Sequence, residues 1–336
     1  RELRRMVPAL AIPRLLAGFV GISASAAFSP IAHHALPFIA TRAKYQYYHR
    51  FHRSATTMAA KDHHKIALFD ATGTLMLPSE PIGETYSRIA RKHGLEVGSP
   101  GEIEQRFREV YGKTAAIDYT GLARAPHLVV EREIAWWRQL VSEVFSADIS
   151  KSKTFEPCFE ELFNLFGTSN AWTLYPESIP VLESLSKDGW TVGICSNFDH
   201  RLPSILKQLG VMDFASFIVL PGDCGCIKPQ RDIFASALQR AGVPETHVAQ
   251  VTCLHVGDSI SADVVGALEA GIFPMLVDRR GKYASQPPPP PVPASCVVVS
   301  TLTPVLETAA AVPPMDRLPF GERKGPVLMV SPDDIS

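Results

Sequence analysis

The stretch Ile66-Ala-Leu-Phe-Asp70-Ala-Thr-Gly-Thr74-Leu predicts how this chain of 336 residues folds. Its first four residues form a short apolar run that ends at a glycine-containing turn, as a buried strand of a parallel sheet does. Asp70 then lies at the carboxyl end of that strand. The same order of apolar run, polar residue and helical pattern recurs at residues 190–195, 217–220 and 254–256. The pattern predicts an α/β protein with a doubly wound parallel sheet, in which ligands bind at the carboxyl ends of the strands.

A long helical segment separates the first predicted strand from the others. Helical periodicity covers residues 83–94, 102–111 and 127–145. We therefore expect an α/β core at 63–80 and 173–311, a helical cap domain inserted at 81–172, and a loosely ordered tail at 312–336. Tyr119, Arg124 and Trp137 are the cap side chains that we expect to face the site.

The composition is that of an ordinary globular protein, with 46% apolar and 20% charged residues. The formal net charge of -1 gives no field that would attract a polyanion, so nucleic acid is not an expected partner. The longest apolar runs are too short and too often interrupted to predict a stable membrane span. Nothing in the sequence indicates an oligomeric state.

Residues 1–62 have the composition of a targeting presequence. Residues 3–61 contain no Asp or Glu, and an apolar run at 15–22 precedes small residues at 23–27 where a signal peptidase could cut. This order resembles the two-part presequence of algae with complex plastids, so we expect a plastid protein. A mitochondrial presequence is the alternative. An overextended gene model, with a cytosolic or nuclear protein, is the third interpretation.

The six cysteines do not follow the spacing of a zinc site. Cys224-Gly-Cys226 is the one close pair, and it could chelate a soft metal or form a strained disulfide. Two ligands alone do not complete a metal site, so we favour reduced loop thiols without such a role.

Asp70 is the candidate nucleophile. A carboxylate at a strand end can attack phosphorus and form an aspartyl-phosphate that water later hydrolyses. Gly73 lets the backbone approach a ligand, and the hydroxyl of Thr74 can steady the carboxylate or a phosphate oxygen. Taken alone, an Asp at this place could simply cap a helix.

Polar residues follow three further predicted strands. Ser196 and Asn197 come immediately before a predicted helix, where a hydroxyl and the free amides of the helix start suit a phosphate. Lys228 can neutralise a carboxylate and a phosphoryl group together. Asp258 and Asp263 lie little more than a helical turn apart, and such carboxylates suit a hard cation such as Mg²⁺. Each of these signals is weak alone, and their order on four strand ends makes them much stronger.

Asp70, Ser196, Lys228 and Asp258 with Asp263 resemble the four motifs of the haloacid dehalogenase superfamily over residues 65–278. The resemblance implies a Rossmann-like core, a helical cap that selects the substrate, and bound Mg²⁺. It also implies a small phosphorylated metabolite as partner. Finer similarity to one subgroup lies in Pro81-Ile-Gly-Glu-Thr-Tyr86, His93-Gly-Leu-Glu-Val97, Trp136-Trp137 and Ser196-Asn-Phe-Asp-His-Arg-Leu202.

Thr72 departs from the pattern of the phosphatases in this superfamily. Those enzymes carry a second Asp two residues after the nucleophile, which protonates the leaving group and then activates water. The resemblance also places Thr72 beside the metal, with Asp70, Asp258 and Asp263. A hydroxyl is a poor acid or base near neutral pH, and losing such a group lowers rates about 100- to 10,000-fold. We therefore expect slow phosphoryl transfer, or a substrate whose leaving group needs no proton.

Two alternatives to a phosphatase remain. The segment around Asp70 resembles that of 2-haloacid dehalogenases, which commonly carry Tyr where Thr72 lies and whose halide leaves without a proton. Those enzymes work without a metal and lack the Gly257-Asp258 pair, so phosphate chemistry is favoured. The other alternative is a regulatory binding protein that keeps the fold and the ligand sites but has no turnover.

Overall fold

The computed structural model describes residues 64–146, 148–293 and 296–318. The predicted presequence and residues 319–336 of the predicted tail lie outside this part of the chain. Eight strands are described, and six of them form one parallel sheet with the order β5-β4-β1-β6-β7-β8. The strands are β1 Lys65–Phe69, β2 Met76–Pro78, β3 Trp172–Leu174, β4 Thr191–Cys195, β5 Phe217–Val219, β6 Thr252–Gly257, β7 Phe273–Val277 and β8 Val297–Val299.

The predicted strand before Asp70 lies near the centre of this sheet. Side chains of β1 alternate between the two faces: Ala67 and Phe69 join one apolar cluster, whereas Ile66 and Leu68 join another. All four residues are fully buried, because helices cover both faces of the sheet. The doubly wound α/β fold predicted from the sequence is therefore confirmed.

The helices of the core follow the strands in alternation. They are α5 Ser178–Lys187, α6 Leu202–Gln208, α7 Pro221–Cys224, α8 Arg231–Arg240, α9 Gly266–Glu269 and α10 Val305–Ala311. One predicted helix differs: residues 260–265 form a wide π-helical turn before α9. Two bonds of Ser259 shape this turn, since its hydroxyl accepts from the Ala262 amide and its own amide donates to the Asp263 carboxylate. The turn thereby brings the Asp263 side chain back towards the end of β6.

Four helices lie between β2 and β3 in the chain. They are α1 Ile82–Lys92, α2 Pro100–Lys113, α3 Pro126–Phe145 and α4 Phe155–Leu165, which we call the cap. The cap has its own apolar core, which includes Tyr86, Leu140, Phe145 and Phe159. Strands β2 and β3 pair antiparallel where the chain leaves and re-enters the α/β core. The cap is thus a helical layer tied to the core by a two-stranded ribbon.

The beginning of the predicted tail packs on the core. Met315 is buried, and its amide donates to the Val251 carbonyl at 2.8 Å. Among the described residues, none of the helices is both long and apolar enough to cross a membrane.

Candidate active site

Asp70 and Lys228 form an ion pair at the carboxyl edge of the sheet. The Asp70 amide donates to the Val256 carbonyl at 2.9 Å, which fixes the end of β1 against β6. The Lys228 ammonium donates to Asp70 Oδ1 at 2.7 Å. Burial raises the pKa of Asp70, and the Lys228 ammonium limits that rise. The Lys228 ammonium therefore counteracts the effect of burial and favours the ionised form of Asp70.

Asn197 holds the loop that carries Lys228, and Ser196 contacts Asp70. The Asn197 side chain accepts from the Lys228 amide at 2.8 Å and donates to the Lys228 carbonyl at 2.9 Å. The Ser196 hydroxyl is a hydrogen-bond donor that stabilises ionised Asp70. Ser196 thus lies beside Asp70, and Asn197 positions Lys228. The helix that follows begins only at Leu202, so the predicted helix start directly after Asn197, with its free amides, is wrong.

Asp263 is engaged by three donors. Its Oδ1 accepts from the Lys228 ammonium at 2.6 Å and from His255 Nε2 at 2.9 Å, and its Oδ2 accepts from the Ser259 amide at 2.9 Å. Burial opposes its charge, but Lys228 and His255 hold the pKa of Asp263 well below its usual range. Asp263 therefore holds the Lys228 ammonium in position.

Asp258 is the carboxylate with the fewest protein contacts in the cluster. Carboxylate oxygens of Asp70, Asp258 and Asp263 lie within 4.8 Å of one another. Asp258 is exposed to the cavity, yet the surrounding protein and the charges of Asp70 and Asp263 raise its pKa to about 7. A Cβ added to Gly73, which has φ +82°, would lie 2.3 Å from Asp258 Oδ2, so the glycine lets this carboxylate approach. Crowded carboxylates of this kind suit a divalent cation.

Thr72 and Thr74 each bury a hydroxyl oxygen that has no partner within the described part of the chain. Buried polar atoms in native proteins are normally hydrogen-bonded. Thr72 lines the cavity, so a phosphate group or a hydrated metal ion fits as the missing partner of its hydroxyl. Thr74 is fully buried and is not among the lining residues, so its predicted contact with a phosphate oxygen is not supported. The residues present therefore suit Mg²⁺ together with a phosphoryl group.

A cavity of about 630 Å³ separates this cluster from the cap. Asp70, Thr72, Ser196, Lys228 and Asp258 line its polar end. Tyr119 and Trp137 line it as expected, whereas Arg124 is exposed and is not among the lining residues. Its size is within the range usual for small-molecule sites.

Comparison with known proteins identifies the family. A family model described as haloacid dehalogenase-like hydrolase matches residues 64–271. The chain belongs to that family. Haloacid dehalogenase-like hydrolase domain-containing protein 3 of Danio rerio is 32% identical over 63% of this chain and 84% of its own. Its Homo sapiens counterpart is 31% identical over 63% and 81%. The similarity predicted from the finer motifs is thereby confirmed.

A solved structure shows the same fold as this haloacid dehalogenase-like hydrolase. An L-2-haloacid dehalogenase aligns with a TM-score of 0.50 and 19% identity, over 74% of this chain and 99% of that chain. At this level of identity, the similarity extends to the fold alone.

Sequence reasoning missed a buried network that joins the cap of this hydrolase to the loop after Asn197. Trp137 Nε1 donates to Asp199 Oδ2 at 2.8 Å. Glu133 Oε2 accepts from the His200 amide at 3.1 Å and contacts His200 Nδ1 at 2.5 Å. Arg201 donates to both oxygens of Asp199, from Nε at 2.8 Å and from Nη2 at 2.5 Å. The motif Ser196-Asn-Phe-Asp-His-Arg-Leu202 contained half of this network, but nothing marked Glu133, which resembles any other helical glutamate.

Cys224 and Cys226 approach each other closely. Their sulfur atoms lie 2.9 Å apart, and both thiols are free. The hydrogen bond from Cys226 lowers the pKa of Cys224, and the same bond raises the pKa of Cys226. That the pair consists of loop thiols without a further role stays a prediction.

Proposed function

We propose that this hydrolase transfers the phosphoryl group of a small phosphate ester to Asp70 and then to water, with Mg²⁺ bound. The observation that supports this best is the clustering of Asp258 with Asp70. A carboxylate nucleophile that displaces halide has no use for a second acidic group facing the substrate. A carboxylate that attacks a phosphate dianion needs nearby positive charge, and paired carboxylates attract a divalent cation.

In the first half of the reaction, an oxygen of Asp70 attacks phosphorus and the bond to the leaving oxygen breaks. The Lys228 ammonium lies 2.7 Å from Asp70 Oδ1, where it can offset the charge of nucleophile and phosphoryl oxygens together. The Ser196 hydroxyl lines the cavity and can donate to a phosphoryl oxygen. Asp263 keeps the ammonium in position through its 2.6 Å contact.

The metal would be held by Asp70 and Asp258, with Thr72 adjacent. When bound, Mg²⁺ supplies charge stabilisation to the phosphoryl oxygens. Asp263, which was predicted as a further ligand, already accepts three hydrogen bonds. We therefore assign it the support of Lys228 and His255 in preference to direct metal binding.

In the second half, water attacks phosphorus and Asp70 is restored. The Thr72 hydroxyl is a weak base, so this step lacks the carboxylate that would remove a proton from water. Turnover is expected to be slow, and the Thr72→Asp variant is expected to raise it.

The experiment is a panel of small phosphate esters assayed on the purified chain with Mg²⁺ and with chelator. Activity that requires Mg²⁺ and disappears in Asp70→Asn is the expected result. Asp188→Asn, which alters an exposed carboxylate in the core, is the matched control and should retain activity. Beryllium fluoride should bind the parent protein and not Asp70→Asn. An Asp70→Asn variant that is as active as the parent would overturn the nucleophile assignment.

The two alternatives give different results in the same experiment. Chloride release from 2-chloropropionate in the presence of chelator would indicate a dehalogenase. Binding of Mg²⁺ and beryllium fluoride without turnover across the panel would indicate a regulatory binding protein.

A further inference from the structure

The wall of the cavity opposite Asp70 is built from aromatic rings. Tyr111 lines the cavity and is 52% exposed, which is unusual for a large aromatic side chain in a packed cap. Its ring stacks on Phe107 at a centroid distance of 5.7 Å and meets the edge of Trp136 at 5.9 Å. Trp137 adds a further ring at 6.5 Å from Tyr111. These four residues, Phe107, Tyr111, Trp136 and Trp137, form what we call the aromatic wall.

The two indole nitrogens of this wall are already bonded to the protein. Trp136 Nε1 donates to the Ala115 carbonyl at 2.8 Å, and Trp137 Nε1 donates to Asp199 at 2.8 Å. The two indoles therefore present carbon surfaces to the cavity. Offset and edge-on contact with another ring suits such surfaces best.

Arg201 and Asp199, which line the cavity near the aromatic wall, are paired with each other and offer no free charge to a ligand. Arg201 donates to both oxygens of Asp199, and its Nη1 donates to the Phe163 carbonyl at 2.7 Å. Its guanidinium carbon also lies 3.8 Å from the centre of the Phe163 ring. Among the described residues that line the cavity, this pair provides the only charges away from the cluster around Asp70 and Lys228. A second anionic group on the substrate would therefore find no unpaired cation in this part of the cavity.

The aromatic wall lies within electrostatic reach of the nucleophile. Asp70 and all four residues of the aromatic wall line the same cavity of about 630 Å³. A group attached directly to the transferred phosphate can therefore extend from Asp70 to the wall.

The chemistry of Thr72 independently favours a leaving group that carries an aromatic ring. An alkyl ester releases an alkoxide, the strongly basic anion of an alcohol that is about as weak an acid as water, so its departure needs a proton donor. A phenol resembles the tyrosine side chain, with a pKa near ~10, and its anion departs far more readily. A site with a hydroxyl in place of the acid thus favours an aryl leaving group.

We propose that the substrate is an aryl phosphate, a phosphate monoester of an uncharged phenol whose ring lies against the aromatic wall. This inference rests on the proposed function. Asp70 forms a bond to phosphorus while the bond from phosphorus to the phenolic oxygen breaks, and the electron pair stays on that oxygen. The phenolate then takes a proton from solvent. Water attacks phosphorus, frees the Asp70 carboxylate and releases inorganic phosphate and one proton.

Steady-state kinetics on matched esters test the proposal. With Mg²⁺ present, kcat/KM for 2-naphthyl phosphate should exceed that for ethyl phosphate by at least about 100-fold, the range typical of general acid catalysis. Tyr111→Ala should lower the value for 2-naphthyl phosphate by about 3- to 10-fold, as expected for one aromatic contact, and Tyr111→Phe should restore it. Tyr283→Ala, which alters a ring outside the cavity lining, should leave it unchanged.

The Thr72→Asp variant separates leaving-group chemistry from binding. It should raise kcat for ethyl phosphate more than kcat for 2-naphthyl phosphate, because only the alkoxide needs the added acid. Equal gains on both esters would overturn the proposal. So would hydrolysis of ethyl or sugar phosphates as fast as that of the naphthyl ester, and in that case the proposed phosphatase function would still stand.

A titration with 2-naphthol, followed by tryptophan fluorescence, tests the wall without turnover. Binding that Tyr111→Ala weakens supports the aryl subsite, and absence of binding overturns it. If no phosphate ester is hydrolysed, the proposed function fails, and this titration decides the aryl subsite by itself.

Discussion

The two ends of the cavity are built on opposite principles. At the polar end, Lys228 lies between Asp70 and Asp263, and its ammonium donates a charged hydrogen bond to each of them, at 2.7 and 2.6 Å. At the aromatic end, ring centroids lie 4.9–6.5 Å apart and the polar atoms of the indoles face away from the cavity. In the proposed reaction, the polar end would bind the phosphoryl group that is transferred, whereas the aromatic end would bind the group that leaves.

The difference also lies in how each end is assembled. The residues of the polar end follow strands of one parallel sheet, so the backbone alone brings them together. The aromatic wall comes from helices α2 and α3, whose packing depends on the whole cap. Substitutions at the polar end should therefore have large effects on the free energy of unfolding and on phosphoryl transfer. Substitutions near the cap should have smaller effects.

Removing the lysine should give the largest effect. Lys228→Met leaves Asp70 and Asp263 buried without a cation, which typically costs about 3–5 kcal/mol in the free energy of unfolding. Phosphoryl transfer should be lost as well. Lys187→Met, which removes an exposed partner of Glu183, should change the stability by less than about 0.5 kcal/mol. Urea unfolding measures both, and a Lys228→Met variant as stable as the parent would show that the ion pairs at the polar end contribute little.

Ligand binding at the two ends of the cavity should depend on pH in different ways. Asp258 must be ionised to bind the metal, and its pKa is raised to about 7. Below that pH the carboxylate is protonated, so the apparent affinity for Mg²⁺ should fall about tenfold per pH unit. Binding of 2-naphthol to the aromatic wall should stay constant between pH 5.5 and 7.5, since a phenol near pKa ~10 is neutral there. Calorimetry at pH 5.5 and at pH 7.5 measures the affinities for Mg²⁺ and for 2-naphthol. Binding of Mg²⁺ that does not change with pH would contradict the role of Asp258.

The smallest of the three effects is expected at the junction of cap and core. Glu133 is buried and accepts from the Tyr119 hydroxyl at 3.0 Å and from the His200 amide at 3.1 Å. Glu133→Gln leaves these donors poorly satisfied, which should lower the free energy of unfolding by about 1–3 kcal/mol. Glu131→Gln, an exposed change on the same helix, is the control and should be neutral. Equal stability of the two variants would mean that this network does not hold the cap.

The core of the fold and the polar end were predictable because their signals are local. A short apolar run followed by Asp70 predicts both a strand and the place of its carboxylate, and the same holds for Ser196 and Asp258. The π-helical turn at 260–265 was not predictable, since it depends on the bonds of Ser259 and Asp263 within the folded site. The partners of Asp263 likewise became visible only in the folded chain.

The aromatic wall and the Glu133 network could not be read from the sequence. Helical periodicity marks Trp136 and Trp137 as half-buried, but it does not tell which helix they face. Tyr111 reaches the cavity because α2 packs across α3, a contact between residues that are distant in the chain. Predicting such a surface requires the tertiary packing of the cap.

The hydrogen bonds from α3 to Asp199 and His200 also define what can be exchanged between relatives. A graft that replaces only the helices between β2 and β3 would bring a foreign α3 against residues 199–201. Asp199 and His200 would then lose Trp137 and Glu133 as their partners. The transferable unit of specificity is therefore discontinuous in sequence. It consists of residues 81–171 together with 198–201. Exchanging both segments at once should preserve the hydrogen bonds between the cap and the core, whereas exchanging either segment alone should break them.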